Sequence, residues 1–116
     1  MTVPGRRQTR LQDQIREELT EMIELELKDP RISFASLTRV DLRPDLRSAR
    51  IWVSVNGDTD GEGTLEGLRS ATGYLRHELS QRLRLRRVPE LIFALDRSAE
   101  DRHRIESLLA QASKNR

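Results

Sequence analysis

The stretch Ser70–Leu91, SATGYLRHELSQRLRLRRVPEL, decides how this chain is read. Leu75, Leu79 and Leu83 recur every fourth residue, and Leu65, Leu68, Ala71 and Thr72 extend the same stripe backwards. That spacing belongs to one face of an α-helix. The helix so predicted spans about 20 residues, or roughly 30 Å, with Thr64 as its expected N-cap. Gly73 sits inside it. An exposed interior glycine costs a helix about 1 kcal/mol relative to alanine. Gly73 is therefore expected to bend one apparent helix into two while leaving the leucine stripe in phase. Beyond the arginines, VPELIFAL (88–95) is almost unbroken apolar sequence, which predicts a strand buried on both faces.

Working outward from that helix, Leu11, Ile15, Leu19, Met22, Ile23 and Leu27 fall three and four residues apart. They predict a first helix from about Arg7 to Lys28, ended by Pro30, which disfavours helical geometry at Asp29. RISFASLTRVDL (31–42) reads as a strand with imperfect alternation, since Phe34 and Val40 share one parity and Leu37 the other. A β-bulge would reconcile them. RPDLRSA (43–49) carries turn chemistry in Pro44 and Asp45. ARIWVSVN (49–56) then alternates, with Ala49, Ile51, Val53 and Val55 inward and Arg50, Trp52 and Ser54 outward. Two strands around a Pro-Asp turn make a hairpin. GDTDGEG (57–63) is an acidic loop, and Ser98 with Asp101 reads as a capping box opening a last helix through Ile105, Leu108, Leu109 and Ala112. The order is helix, strand, strand, long helix, strand, helix. Its economical packing is an α+β domain, one three-stranded sheet with helices packed on one face.

At 116 residues, one domain is expected, burying about two thirds of its unfolded surface. We divide the chain into a disordered N-terminus (1–6), a folded domain (7–96) and a C-terminal helix with a short polar tail (97–116). Aromatic residues are 3% of the chain, too few for a platform that stacks successive bases. The absence of cysteine excludes disulfides and thiolate metal sites. No apolar run is long enough to span a membrane, and MTVPGRRQTR lacks a secretory apolar segment, so a cytoplasmic location is expected.

Charge is unevenly placed although the formal net charge is only +2. Residues 17–29 hold six acids against Lys28, and residues 69–87 hold six arginines against Glu78. Such polarisation suits an oriented partner. Arg76, Arg82, Arg84, Arg86 and Arg87 are the first candidates for phosphate contacts, because a planar guanidinium can bond two phosphate oxygens at once. Arg43, Arg47 and Arg50 of the hairpin are second candidates. The competing reading is that these arginines solubilise a leucine-rich helix end and favour the negative end of its dipole. Arg76 and Arg82 lie about 120° apart around the helix axis, one on each side of the leucine stripe. A single patch must therefore form at the helix C-terminus and the turn before Val88.

Catalysis finds little support. His77-Glu78 begins a zinc-protease pattern, but its second histidine position holds Gln81, and His103 is the only other histidine. No spacing singles out a Ser-His-Asp triad, and neither a Walker A loop nor a dinucleotide-binding glycine motif is present. No catalytic residue, metal ligand or cofactor site is expected.

LKDPRI (27–32), RPDLRSARIWVSV (43–55), the opening stretch and the following IFALDRS (92–98) together resemble the ribosome-binding factor A family over roughly residues 7–110. The resemblance implies a type II KH-like domain with a kinked central helix pair at an Ala-x-Gly motif, here Ala71-Thr72-Gly73. KH domains ordinarily grip a single strand with a G-x-x-G loop, and this chain has none. Ala71 and Gly73 would then serve backbone geometry, with RNA held by shape and phosphate contacts. The resemblance further implies binding to the immature small (30S) ribosomal subunit and its 16S ribosomal RNA, near its 5′-end helix. It also implies help in late processing, a role in cold adaptation, and release by a ribosome-associated GTPase. Some members carry a long basic C-terminal tail. This chain reads as a short helix and SKNR there, which departs from that pattern. A monomer with no membrane partner is expected. The alternative is a protein-interaction module acting through the acidic first helix.

Overall fold

The computed structural model describes residues 5–56 and 59–114. Helix α1 (Arg6–Glu21) continues into a π-helical turn (Met22–Glu26), and a 3-10 turn follows (Pro30–Ile32). Strands β1 (Ser36–Leu42) and β2 (Ser48–Ser54) lead to α2 (Gly61–Leu83), then β3 (Glu90–Leu95) and α3 (Ser98–Lys114). Met1–Pro4, most of the expected N-terminal tail, lie outside the described residues, as do Gly57 and Asp58 of the acidic loop and the final Asn115-Arg116. The helix begins one residue earlier than expected, at Arg6.

The sheet runs in the order β1-β2-β3, with β1 antiparallel and β3 parallel to the central β2. The expected bulge exists. Leu37 opposes Val53 and Arg39 opposes Trp52, so Thr38 is the extra residue that restores Val40 and Leu42 to the inner face. Leu37, Val40, Leu42, Ala49, Ile51, Val53, Leu91 and Phe93 point into the core. Phe34 is exposed, because residues 31–35 form the 3-10 turn and its exit instead of extending the strand.

The helical stripes meet that face. Ile15, Leu19, Met22 and Ile23 from the first helical segment, and Leu65, Leu68, Leu75 and Leu79 from α2, all join one core, with Leu11, Leu27, Ala71 and Leu83 packed at its edge. The first helix ends sooner than Pro30 alone would dictate. Leu27 N–H reaches back to Met22 O at 2.8 Å, and Leu27 itself is already extended. The wider π turn seats the adjacent Met22 and Ile23 together in the core. Pro30 instead opens the 3-10 turn, capped by Asp29, whose Oδ1 accepts from Arg31 N–H at 2.9 Å.

Four expectations need correction. Gly73 does not interrupt the long helix: α2 runs as one continuous helix of 23 residues through it. The propensity cost of one glycine is small beside the burial of four leucines. Thr64 is not the N-cap but lies one turn inside α2, fully buried, where its hydroxyl reaches Arg31 O at 2.9 Å. Gly67 allows the same close approach, since a Cβ there would stand 3.0 Å from Ile32 Cγ2. Strand β3 is an edge strand and is not buried on both faces, leaving Ile92 exposed opposite the buried Leu91 and Phe93. Finally, Ser98 is already helical and does not open a capping box. Asp96 does the capping, its Oδ1 accepting from Ser98 N–H at 2.9 Å and its Oδ2 from Thr38 Oγ1 at 2.7 Å.

Helices α1 and α2 thus cover one face of the sheet, as expected, while α3 leaves Ile105, Leu108 and Leu109 exposed. Among the described residues no helix is long and apolar enough to cross a membrane.

Candidate nucleic-acid interface

Four segments converge at the C-terminal end of α2. On α1, Arg7, Arg10, Leu11 and Gln14 share a face at helical spacing. On α2, Arg76, His77, Ser80 and Arg84 share another. The hairpin turn contributes Asp45, Leu46 and Arg47, and the loop before β3 contributes Leu85, Arg86, Arg87 and Val88. Between them lies an open groove of about 1370 Å³, lined by seven arginines and one carboxylate.

Local backbone chemistry fixes each contributor. Helix α2 ends at Arg84, which takes the left-handed conformation (φ 54°, ψ 48°) usually reserved for glycine at this position. For a residue with a side chain that conformation costs roughly 1–2 kcal/mol. Its benefit is a sharp chain reversal, closed by Leu85 N–H to Ser80 O at 3.0 Å and by Ser80 Oγ to Leu85 O at 3.0 Å. The reversal carries Arg86 and Arg87 to the groove instead of further along the helix axis. Arg76 braces the loop, its Nη2 donating to Val88 O at 2.8 Å. In the hairpin, Arg43 N–H bonds Ser48 O and Leu46 N–H bonds Arg43 O, both at 2.9 Å, and Leu46 also has a positive φ of 62°. Asp45 Oδ1 accepts from Arg47 N–H at 3.0 Å, which occupies the groove's one carboxylate. Glu90 N–H to Arg47 O (2.9 Å) ties that turn to the start of β3.

The sequence candidates separate accordingly. Arg76, Arg84, Arg86, Arg87 and Arg47 meet in the groove. Arg82 does not. It lies on the far flank of α2 and binds Glu26 through both terminal nitrogens at 2.7 and 2.9 Å, with Glu18 at 3.3 Å and Glu78 at 3.6 Å. Those carboxylates, Glu26 foremost, raise the Arg82 pKa, and Arg82 in turn lowers that of Glu26. Arg82 clamps α2 to the first helical segment, so it is removed from the phosphate candidates. Arg50 lies on the open face of the sheet, its guanidinium 5.6 Å from the Trp52 ring centre, with Arg39 at 5.2 Å. Arg43 is exposed in the hairpin turn and does not line the groove. Ala71 packs at the core edge, and Gly73 is exposed with nothing within 4 Å of an added Cβ. His77 lines the groove while Glu78 faces Arg82, so the two do not act as a pair. Among the described residues no group of three potential metal ligands occurs.

Arg7 and Arg10 are the contributors that sequence reasoning missed. A signal was available. Arginines at a helix N-terminus oppose the positive end of the helix dipole, and the first turn of α1 holds no acid to offset them. An external anion would resolve that conflict.

Sheet order and helix placement define a KH-like α+β domain, with an arginine-lined groove at the C-terminal end of α2. A family model described as ribosome-binding factor A matches residues 7–109, and the chain belongs to that family. Ribosome-binding factor A of Thermomicrobium roseum is 42% identical over 115 residues, 98% of this chain and 89% of that protein. The Natranaerobius thermophilus protein of the same name is 41% identical over 108 residues, 92% of this chain and 82% of that protein. The crystal structure of ribosome-binding factor A from Thermus thermophilus superposes with a TM-score of 0.71 at 31% identity, covering 78% of this chain and 97% of that one. A homology model of the Thermus thermophilus factor, fitted into a cryo-EM map of its 30S complex, gives 0.65 at 32% identity, covering 76% and 93%.

Proposed function

We propose that this chain binds the immature small ribosomal subunit through its 16S ribosomal RNA and, without catalysing a reaction, assists late processing of that RNA. The observation that carries this reading is the groove, where seven arginines face one occupied carboxylate. Family membership and the fit of the Thermus thermophilus factor into a 30S map support the choice of subunit. Phosphates are held by Arg47, Arg76, Arg84, Arg86 and Arg87, joined by Arg7 and Arg10. The factor acts as a monomer in the cytoplasm, supports growth in the cold and is released by a ribosome-associated GTPase.

The test is cosedimentation of purified protein with immature small subunits. Reversing Arg84, Arg86 and Arg87 to Glu should weaken binding by about a hundredfold or more and flatten its salt dependence, because each lost phosphate contact removes about one unit from the log–log slope. Circular dichroism should not change, since all three side chains are exposed. Unchanged binding by the triple variant would overturn the groove as the RNA site.

A further inference from the structure

The start of α1 has little to hold it in place locally. Gly5 supplies no side-chain cap, and the first turn contains no acid. Arg6 and Arg7 stand there instead, at the positive end of the helix dipole. An uncapped, cationic helix start is prone to fray. What holds this one is a contact with the sheet. Gln8 Nε2 donates to Leu42 O at 2.7 Å, and Leu42 N–H donates to Gln12 Oε1 at 2.9 Å. Strand β1 is an edge strand, and in an antiparallel ladder alternate residues turn both main-chain groups away from the partner strand. Arg43 N–H bonds Ser48 O across the hairpin, so the preceding Leu42 presents its two groups to the open edge. Two glutamines one turn apart on α1 take both of them.

Resting on the RNA reading above, we infer that Gln8 and Gln12 are positioning residues for the subunit contact: their clip on Leu42 sets the rotation of α1 so that Arg7 and Arg10 face the groove. At 100° per residue, the glutamines lie about 130° round the helix axis from the face shared by Arg7, Arg10, Leu11 and Gln14. A slip of one residue would swing both arginines by about 100°. On the sheet side, Leu42 stands just before the hairpin turn whose Asp45, Leu46 and Arg47 line the same groove. The clip therefore joins two of the groove's four segments. Neither glutamine lines the groove, so each acts through the arginines beside it. The fully buried residues of α1, Ile15 and Leu19, lie further along. Core packing fixes the middle of the helix, and its first two turns depend on the clip and on the partly buried Leu11.

Cosedimentation with immature small subunits across a salt series tests this as a double-mutant cycle. In the wild-type chain, Arg7→Gln with Arg10→Gln should weaken binding about tenfold and lower the log–log salt slope by about two units. Gln8→Met with Gln12→Met keeps the length and helix propensity of both side chains without their amide groups. This double glutamine variant removes no charge, yet it should weaken binding to a similar extent and lower the slope as well. Added to it, the two arginine changes should cost less than about threefold more. A helix support with no part in binding would leave the arginine effect whole. An undiminished tenfold loss in the glutamine-variant background would therefore overturn the inference. Unchanged binding by the double glutamine variant, or by the double arginine variant, would also overturn it. Should the double glutamine variant fail to fold, Gln8→Met alone carries the same cycle with the same two readings. The Arg84, Arg86, Arg87 reversal keeps this result separate from the RNA reading, since it weakens binding if the groove holds RNA, whichever way the cycle comes out.

Discussion

Arg76 and Arg82 flank the same leucine stripe of α2, and their surroundings are opposite in kind. Arg82 faces three carboxylates and has only a quarter of its side chain exposed, at 25%. Arg76 looks into a groove where the cations outnumber the carboxylates seven to one. One flank pairs its cation with carboxylates and ties α2 to the first helical segment. The other keeps its charge in excess, which is unfavourable for the isolated protein and favourable once an anion binds. An arginine-rich segment therefore contains both a structural tie and the surface proposed to bind RNA, and identity alone does not separate them.

Exchanging the roles of the two flanks gives the largest contrast. The Arg84, Arg86, Arg87 reversal should remove subunit binding and spare stability, whereas Arg82→Ala should do the reverse. Its loss leaves Glu18, Glu26 and Glu78 facing one another without a cation, so its melting temperature should fall further than for alanine at Arg76 or Arg84. Weakened subunit binding at unchanged stability in Arg82→Ala would break the division. Arg84→Gly sharpens it within one residue. Relief of the left-handed conformation should raise stability by about 1 kcal/mol, while loss of the guanidinium weakens subunit binding several-fold. Gly73→Ala, midway along α2, should also gain about 1 kcal/mol, since an added Cβ meets nothing within 4 Å. Subunit binding should be unchanged, and a loss of binding would mean that RNA touches this exposed turn.

The smallest expected effect is a pH dependence away from both flanks. Hydrogen bonds from Ser98 and then Thr38 hold the Asp96 carboxyl at about 2, below its ordinary 3.8. A depressed carboxylate pKa contributes stability that is full above pH 4 and is lost as pH falls toward 2. Thermal melts of wild type and Asp96→Asn should therefore differ at pH 5 and converge near pH 2. A constant difference would assign the effect of Asn to packing.

Much of the fold was legible because its signals are local. Helical spacing marked the apolar faces of α1 and α2, alternation marked β2, and the broken parity between Leu37 and Val40 called for the bulge found at Thr38. The misreadings came where tertiary contacts outweighed a local rule. Burial of Leu68, Leu75 and Leu79 carries α2 through Gly73 unbroken. Packing against Arg31 and Ile32 draws Thr64 into the helix. The run 88–95 looked doubly buried, but a three-stranded sheet gives its last strand only one covered face in this fold.

The sequence by itself determined the order of elements, the apolar faces and an excess of arginine near residues 76–87, because each depends on neighbours a few positions apart. Which arginines act together was decided only by the tertiary structure. Glu18 and Glu26 reach Arg82 across separations of 64 and 56 residues, and Arg7 and Arg10 come to the groove from the opposite end of the domain. Charge interactions between exposed groups are screened beyond about 10 Å of solvent, so an arginine's role follows from the neighbours that folding brings within that range.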